Sequence, residues 1–99
     1  MHIAIKRAGG ADLMSDVLSF VKSNNILLLT GLINPQVIYT ADAVNIKAIC
    51  FVRGKRPCNE LISLAKERGM TLLCTKLLMF DSCGKLYEAG IKGCADNEV

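Results

Sequence analysis

Short apolar segments alternate with amphipathic segments along the chain. Residues 26–29 and 48–52 are uninterrupted apolar runs, which are typical of central parallel strands covered on both faces. Between and after these runs, apolar residues recur every three or four positions, a spacing that indicates helices. The pattern predicts consecutive βα units, and therefore an α/β fold with a small open parallel sheet of about four strands and helices on both faces.

The individual elements follow from the same pattern. Alternation at Ile3 and Ile5 predicts the first strand, and the glycine pair at 9–10 predicts a turn after it. Asn34 and Pro35 are a good N-cap and a good first helical residue. The other predicted strands lie at 26–29, 48–52 and 71–74, and the predicted helices lie at 12–22, from 35, at 57–68 and at 78–89. We expect a single domain over residues 1–93 and a flexible tail over 94–99.

Length and composition narrow the class of protein. The chain has 99 residues, of which 52% are hydrophobic, and its mean hydropathy is +0.36. This apolar surplus favours association with another chain, so we expect a homo-oligomer. The longest apolar runs are far shorter than the roughly 20 residues that a membrane helix needs. Charged residues stand near the start where a secretory signal would be apolar, and a cytoplasmic location is expected.

The five cysteines are odd in number and include no CxxC pair, which favours reduced thiols over disulfides or a metal site. Cys58 differs from the others because it is predicted in the first turn of a helix. The helix dipole and Arg56 would favour a reactive thiolate there. A cysteine-based redox protein is therefore an alternative function, beside the simpler interpretation of Cys58 as an inert surface thiol.

Charge and motifs exclude several functions. The net charge is +3, there is no basic stripe and no Trp, and nucleic-acid binding is not expected. Neither a phosphate-binding GxxxxGK[ST] loop nor a GxGxxG fingerprint is present. The only histidine is His2, so a nucleophile activated by histidine would depend on the chain terminus. We expect no catalytic residues, no cofactor and no enzymatic activity.

The ends of three predicted strands suggest a binding edge. Parallel sheets bind ligands beyond the carboxyl ends of their strands, and the cations between 53 and 56 precede a helix start that favours an anion. A solvated basic loop, a turn glycine and an N-cap asparagine would explain the same residues without a ligand. The predicted site for a small anion or nucleotide consists of Thr30, Gly31, Asn34, Arg53, Gly54, Lys55 and Thr75.

Four stretches carry a family resemblance: ADLMSDVL at 11–18, LLTG through NPQ at 28–36, FVRGKRP at 51–57, and MF through LYEAG at 79–90. Together they resemble the DRTGG domain family over residues 3–93. The family's domain looks like the N-terminal domain of HPr kinase/phosphatase, which lacks the kinase site. The resemblance implies a regulatory module. Short stand-alone members are often encoded beside electron-bifurcating iron hydrogenases, which implies a partner enzyme and, as an alternative function, an accessory role in such a system.

The sequence departs from the family pattern at its two signature positions. The Asp-Arg pair falls on Ile33 and Asn34, and the Thr-Gly-Gly falls on residues 53–55, where only Gly54 is kept. The ligand or its mode of binding should therefore differ here. Similar domains carry roughly 20 to 25 more residues ahead of the first strand, the length of a helix and a short strand. The first strand is thus expected to be an exposed edge that pairs with another copy.

Overall fold

A computed structural model of the protein describes residues 5–18 and 25–94. The described elements form one parallel sheet in the order β4-β3-β2-β1-β5. The predicted open α/β sheet is confirmed, with five strands rather than about four. In chain order the elements are β1 (Arg7–Gly10), α1 (Met14–Val17), β2 (Ile26–Thr30), α2 (Pro35–Ala43), β3 (Ala48–Phe51), α3 (Asn59–Glu67), β4 (Thr71–Cys74), α4 (Met79–Glu88) and β5 (Lys92–Gly93).

The two apolar runs form the strands at the heart of the sheet. All five residues of β2 are buried, and β2 pairs with β3 in the register Leu27 to Ala48 through Thr30 to Phe51. Side chains alternate between the two faces of a strand, so a run that is apolar throughout needs cover on both sides. The continuous apolar runs in the sequence therefore mark the strands that other elements cover most completely on both faces of the sheet.

Helices lie on both faces of the sheet, as predicted. On one face, buried residues of α1, α2 and α3 pack with Leu28, Ile49 and Phe51. Of the helices described, only α4 packs on the other face, over β1 and β2, and its Met79 and Leu86 contact a smaller cluster. The described residues therefore cover the second face less completely near β3 and β4. None of the helices described is long and apolar enough to cross a membrane.

The first strand lies further along the chain than predicted. Gly9 and Gly10, expected to form a turn, belong to β1 and pair with Leu28 and Leu29. A β-carbon on Gly10 would come within 2.7 Å of the Met79 sulfur, so the glycine allows α4 to approach the sheet. The predicted strand at Ile3 lies partly outside the described residues. The expectation that the first strand is an exposed edge was wrong, because β1 lies between β2 and β5.

The predictions at the two ends of the fold have different outcomes. Within the described residues α1 covers Met14–Val17; Val17 is buried, Leu13 and Leu18 of the predicted apolar stripe are exposed, and the rest of the predicted helix lies outside the described part. The two-residue strand β5 was not anticipated. It pairs with β1, and Arg7 Nη1 donates to the Gly93 carbonyl at 2.6 Å. Cys94, assigned to the tail, packs against the core.

At the amino end of the sheet, Asp42 ties α2 to the segment between α3 and β4. Its carboxylate accepts from Arg68 at 2.6 Å and from Lys47 at 3.3 Å. Hydrogen bonds from Arg68, then from Lys47, lower the pKa of Asp42 below its ordinary value. These cations are neutralised at the end of the sheet opposite to the predicted site.

Candidate functional site

The loops predicted to bind a ligand lie at the carboxyl edge of the sheet. Thr30 ends β2, with Gly31 directly after it, and residues 53–55 follow β3 after one intervening residue. Thr75 comes directly after β4. The loops after β3 and β4 are tied together, because the Arg53 amide donates to the Leu77 carbonyl and the Gly54 amide to the Thr75 carbonyl, both at 2.8 Å.

Thr30 and Gly31 are bound to a carboxylate that the sequence analysis did not select. The Thr30 hydroxyl donates to Asp12 Oδ1 at 3.1 Å, and the Gly31 amide donates to the same oxygen at 2.7 Å. The Thr30 hydroxyl also accepts from the Leu32 amide at 3.2 Å. Thr30 is fully buried. The hydrogen bond from its hydroxyl to Asp12 joins the loop after β2 to the loop after β1.

Arg53 stands at an unusual backbone position and lies over the neighbouring loop. Its φ is +62° and that of Gly54 is +72°, so two successive residues occupy the left-handed region. A β-carbon added to Gly31 would overlap the Arg53 guanidinium, which shows that this side chain packs directly on Gly31. The glycine thus lets Arg53 bridge the loops that follow β2 and β3.

A cavity of about 250 Å³ opens between the loops after β3 and β4, and it is lined by Gly54, Arg56, Cys74, Thr75 and Lys76. Two cations from different loops, Arg56 and Lys76, therefore face one cavity, and the predicted site residues Arg53 and Lys55 do not line it. The Thr75 hydroxyl accepts from the Leu77 amide at 3.2 Å and keeps its proton for donation. The exposed Lys55 belongs to the same loop as Arg53 and Arg56. Cations, a hydroxyl and backbone amides are the groups that bind a phosphate or another small anion.

Asn34 and the start of α3 do not join this cavity. Asn34 is the N-cap of α2, where its Oδ1 accepts from the Val37 amide at 3.2 Å. It lines a separate cavity of about 410 Å³ between α2 and α3, together with Cys58 and Glu60. Helix α3 begins at Asn59 rather than at Pro57. The basic loop and the start of α3, which were predicted to bind an anion together, therefore line two separate cavities.

The five thiols occupy different environments. Cys50, Cys83 and Cys94 are half-buried, and burial raises the pKa of each thiol. Cys74 is exposed because β4 is the outermost strand. Cys58 is exposed at the N-cap of α3, where its side chain makes no capping hydrogen bond. Nowhere in the described ranges do three or more His, Cys, Asp or Glu side chains gather to hold a metal ion.

These environments predict the order in which the thiols react. With iodoacetamide at pH 8 and no reductant, we expect two adducts to form first on the folded protein, at Cys58 and Cys74, because burial makes the other three thiols less accessible and raises the pKa of each of them. Unfolding should bring the total to five. Intact mass with peptide mapping measures both stages. A total of three would indicate a disulfide and contradict the prediction, as would equal rates at Cys50 and Cys74.

Sequence reasoning missed Asp12 because it placed the first strand too early. With β1 at Arg7–Gly10, Asp12 stands two residues after a strand end, at the same edge as Thr30 and Arg53. Comparisons of the chain with protein-family models, curated proteins and solved structures find no match. The resemblance to DRTGG domains therefore stays a prediction.

Proposed function

We propose that this chain is a cytoplasmic, non-catalytic regulatory domain that binds a small anion or nucleotide at the carboxyl ends of its strands. Binding would bias its association with itself or with a partner enzyme. The observation that carries the proposal is the set of unpaired cations at this edge. Within the described residues, no ion pair or side-chain hydrogen bond satisfies Arg53, Lys55, Arg56 or Lys76.

The backbone of Arg53 supports the same proposal. Asn25 and Asn45 are the other described residues besides glycine that have positive φ, and asparagine tolerates this region well. Arginine tolerates it less well, because the left-handed conformation of a residue with a β-carbon costs about 1 to 2 kcal/mol of conformational energy. Such strain is often found at binding sites, where it positions a side chain. At position 53 it places a guanidinium beside the loop after β2.

The chemistry of the edge favours binding over catalysis. Asp12 lies at this edge, and its carboxylate already accepts hydrogen bonds from Thr30 and Gly31. The described residues contain no histidine that could serve as a general base for a nucleophile at this edge. The resemblance to DRTGG domains also supports a regulatory role, and the loss of most signature residues supports a ligand specific to this chain.

The proposal is tested by removing two cations of the loop after β3. We expect Arg53→Ala/Lys55→Ala to weaken binding of ADP or inorganic pyrophosphate by about 1.5 to 3 kcal/mol for each charged hydrogen bond lost. Isothermal titration calorimetry measures the affinity. The control, Lys6→Ala/Lys92→Ala, removes the same charge from two exposed positions, Lys6 just before β1 and Lys92 within β5. Equal affinity in the parent and the Arg53/Lys55 variant would refute the site.

Arg53→Gly separates a binding role from a structural one. Glycine relieves the left-handed strain but adds freedom to the unfolded chain, so we expect the free energy of unfolding to change by less than about 1 kcal/mol. Affinity for the same probes should fall, by less than in Arg53→Ala/Lys55→Ala. A variant that loses stability and keeps its affinity would show that Arg53 serves the fold.

A further inference from the structure

A mostly apolar cavity of about 330 Å³ lies between α4 and the strands β3 and β4, beside the cationic cavity. Its floor is a row of side chains that the sheet register places on one face, Leu29, Cys50 and Leu73. Helix α4 supplies Ser82 and Lys85 to its wall. At roughly 30 Å³ for each non-hydrogen atom, the cavity has room for about ten such atoms.

The Ser82 hydroxyl has no hydrogen-bond partner among the described residues, although Ser82 is only 5% exposed. No other buried side-chain oxygen or nitrogen in the described part of the chain is left unpaired. Buried polar groups are almost always hydrogen-bonded, and an unpaired one destabilises the fold. Because Ser82 lines the cavity, a molecule bound there can supply the missing partner.

Lys85 adds a positive charge to the same cavity. It lies three residues after Ser82 in α4, so the two side chains are on the same side of the helix. Lys85 is exposed, and among the described residues its ammonium group takes part in no ion pair or side-chain hydrogen bond. A hydroxyl that can donate and a cation beside it are groups that bind a carboxylate. Apart from Thr75, the other lining residues are leucines and cysteines.

We infer that this cavity binds a small carboxylic acid with an apolar chain, of the medium-chain fatty acid class. The chain lies on the row of side chains from the sheet, and the carboxylate accepts a hydrogen bond from Ser82 and pairs with Lys85. One cation and one hydroxyl suit the single charge of a carboxylate better than the nearly double charge of a phosphate monoester. The inference goes beyond the proposed function, because the anion site uses the cations of the loops after β3 and β4.

The groove on the other face of β4 lacks this combination. It has a volume of about 470 Å³, lies between β4 and α3, and is lined by Lys66 and Arg56 as well as by apolar side chains. No unpartnered buried hydroxyl belongs to its described lining. This groove therefore provides an internal comparison for the experiment.

Isothermal titration calorimetry on the full chain tests the inference with probes that separate the chain from the charge. We expect octanoate to bind, and octanol to bind more weakly because it lacks the carboxylate. Hexanoate should bind roughly tenfold more weakly than octanoate because it buries two fewer methylenes. Acetate should show no measurable binding. Octanoate without binding up to about 1 mM, or with an affinity no higher than that of acetate, would overturn the inference.

Ser82→Ala distinguishes a ligand site from an ordinary buried serine. Alanine removes the unpaired hydroxyl, so Tm of the free variant should rise by about 4 to 8 °C. Octanoate binding should weaken about tenfold, because one hydrogen bond to a charged group is lost. The control, Ser63→Ala at an exposed position of α3, should keep the parental affinity and change Tm much less. A Ser82 variant that loses stability, or that keeps the parental affinity for octanoate, contradicts the site.

Two lysine variants locate the carboxylate. Lys85→Gln should weaken octanoate binding about twofold to fivefold and leave octanol binding unchanged, because only the charged probe pairs with the ammonium group. Lys66→Gln removes the same charge beside the groove on the other face and should leave both affinities unchanged. Parental octanoate affinity in Lys85→Gln, or a loss of affinity in Lys66→Gln, would show that the carboxylate binds elsewhere. The anion site is judged separately, by titration of pyrophosphate into the Arg53 variants.

Discussion

Replacement of Phe51 by alanine is expected to lower the free energy of unfolding by about 3 to 5 kcal/mol, the usual cost of removing a fully buried aromatic side chain. Phe51 is 0% exposed and belongs to the main core cluster, which joins the sheet to α2 and α3. Domains of this size are typically stable by about 5 to 15 kcal/mol, so the variant should lose a large fraction of its stability. Equilibrium unfolding in urea measures the change.

Phe80→Ala provides the matched control. Phe80 lies in α4 but is 86% exposed, so the same substitution removes little buried surface. Its effect should stay within about 0.5 kcal/mol, as for most surface substitutions. If Phe51→Ala and Phe80→Ala destabilise equally, the assignment of Phe51 to the core is wrong.

The central strands could be predicted because a strand that is buried on both faces has a continuous apolar sequence. If half of a run such as Ile26 to Leu29 were exposed, the free energy gained by burying apolar surface would be largely lost. The segments next to these runs in the chain have helical periodicity. Strand β1 has no such apolar run. Gly9 and Gly10 favour a turn by local preference, but pairing with β2 and the close approach of Met79 place them in the sheet. Tertiary contacts overrode local preference there.

The existence of the helices and strands was easier to predict than the residues at which a helix ends or the strands that lie at the edges of the sheet. Leu13 and Leu18 fit a helical stripe, but both are exposed, and the described part of α1 covers only Met14–Val17. Leu72 and Leu73 resemble the residues of a buried strand, and only the strand order shows that they lie at an edge. Strand order depends on pairings between distant segments, which periodicity does not record.

The candidate site was predictable in location but not in detail. Strand ends in a parallel sheet meet at one edge, so the loops at Thr30, Arg53 and Thr75 could be grouped from the sequence. The separation of Asn34 from the cavity could not be foreseen, because it depends on how α2 packs beside α3. The positive φ of Arg53 also has no sequence signal, since arginine is not a residue that normally indicates a left-handed turn.

Asp12 should be the most sensitive polar residue at this edge. It is the shared acceptor for the Thr30 hydroxyl and the Gly31 amide, and Gly31 in turn supports the Arg53 guanidinium. Loss of the carboxylate would leave two donors without their acceptor, one of them on a fully buried residue. An unsatisfied buried donor costs about 1 to 3 kcal/mol, so the effect should exceed that of removing an ordinary surface charge.

We therefore expect Asp12→Ala to lower the free energy of unfolding by about 1.5 to 3 kcal/mol. Asp12→Asn should cost less, because its amide oxygen can still accept from Thr30 and Gly31. Glu88→Ala is the control, since it removes an exposed carboxylate at the end of α4 and should have little effect. Urea unfolding of the three variants gives the energies, and hydrogen exchange at the Gly31 amide reports the bond directly. If Asp12→Ala is as stable as Glu88→Ala and the Gly31 amide stays protected, Asp12 does not hold these loops together.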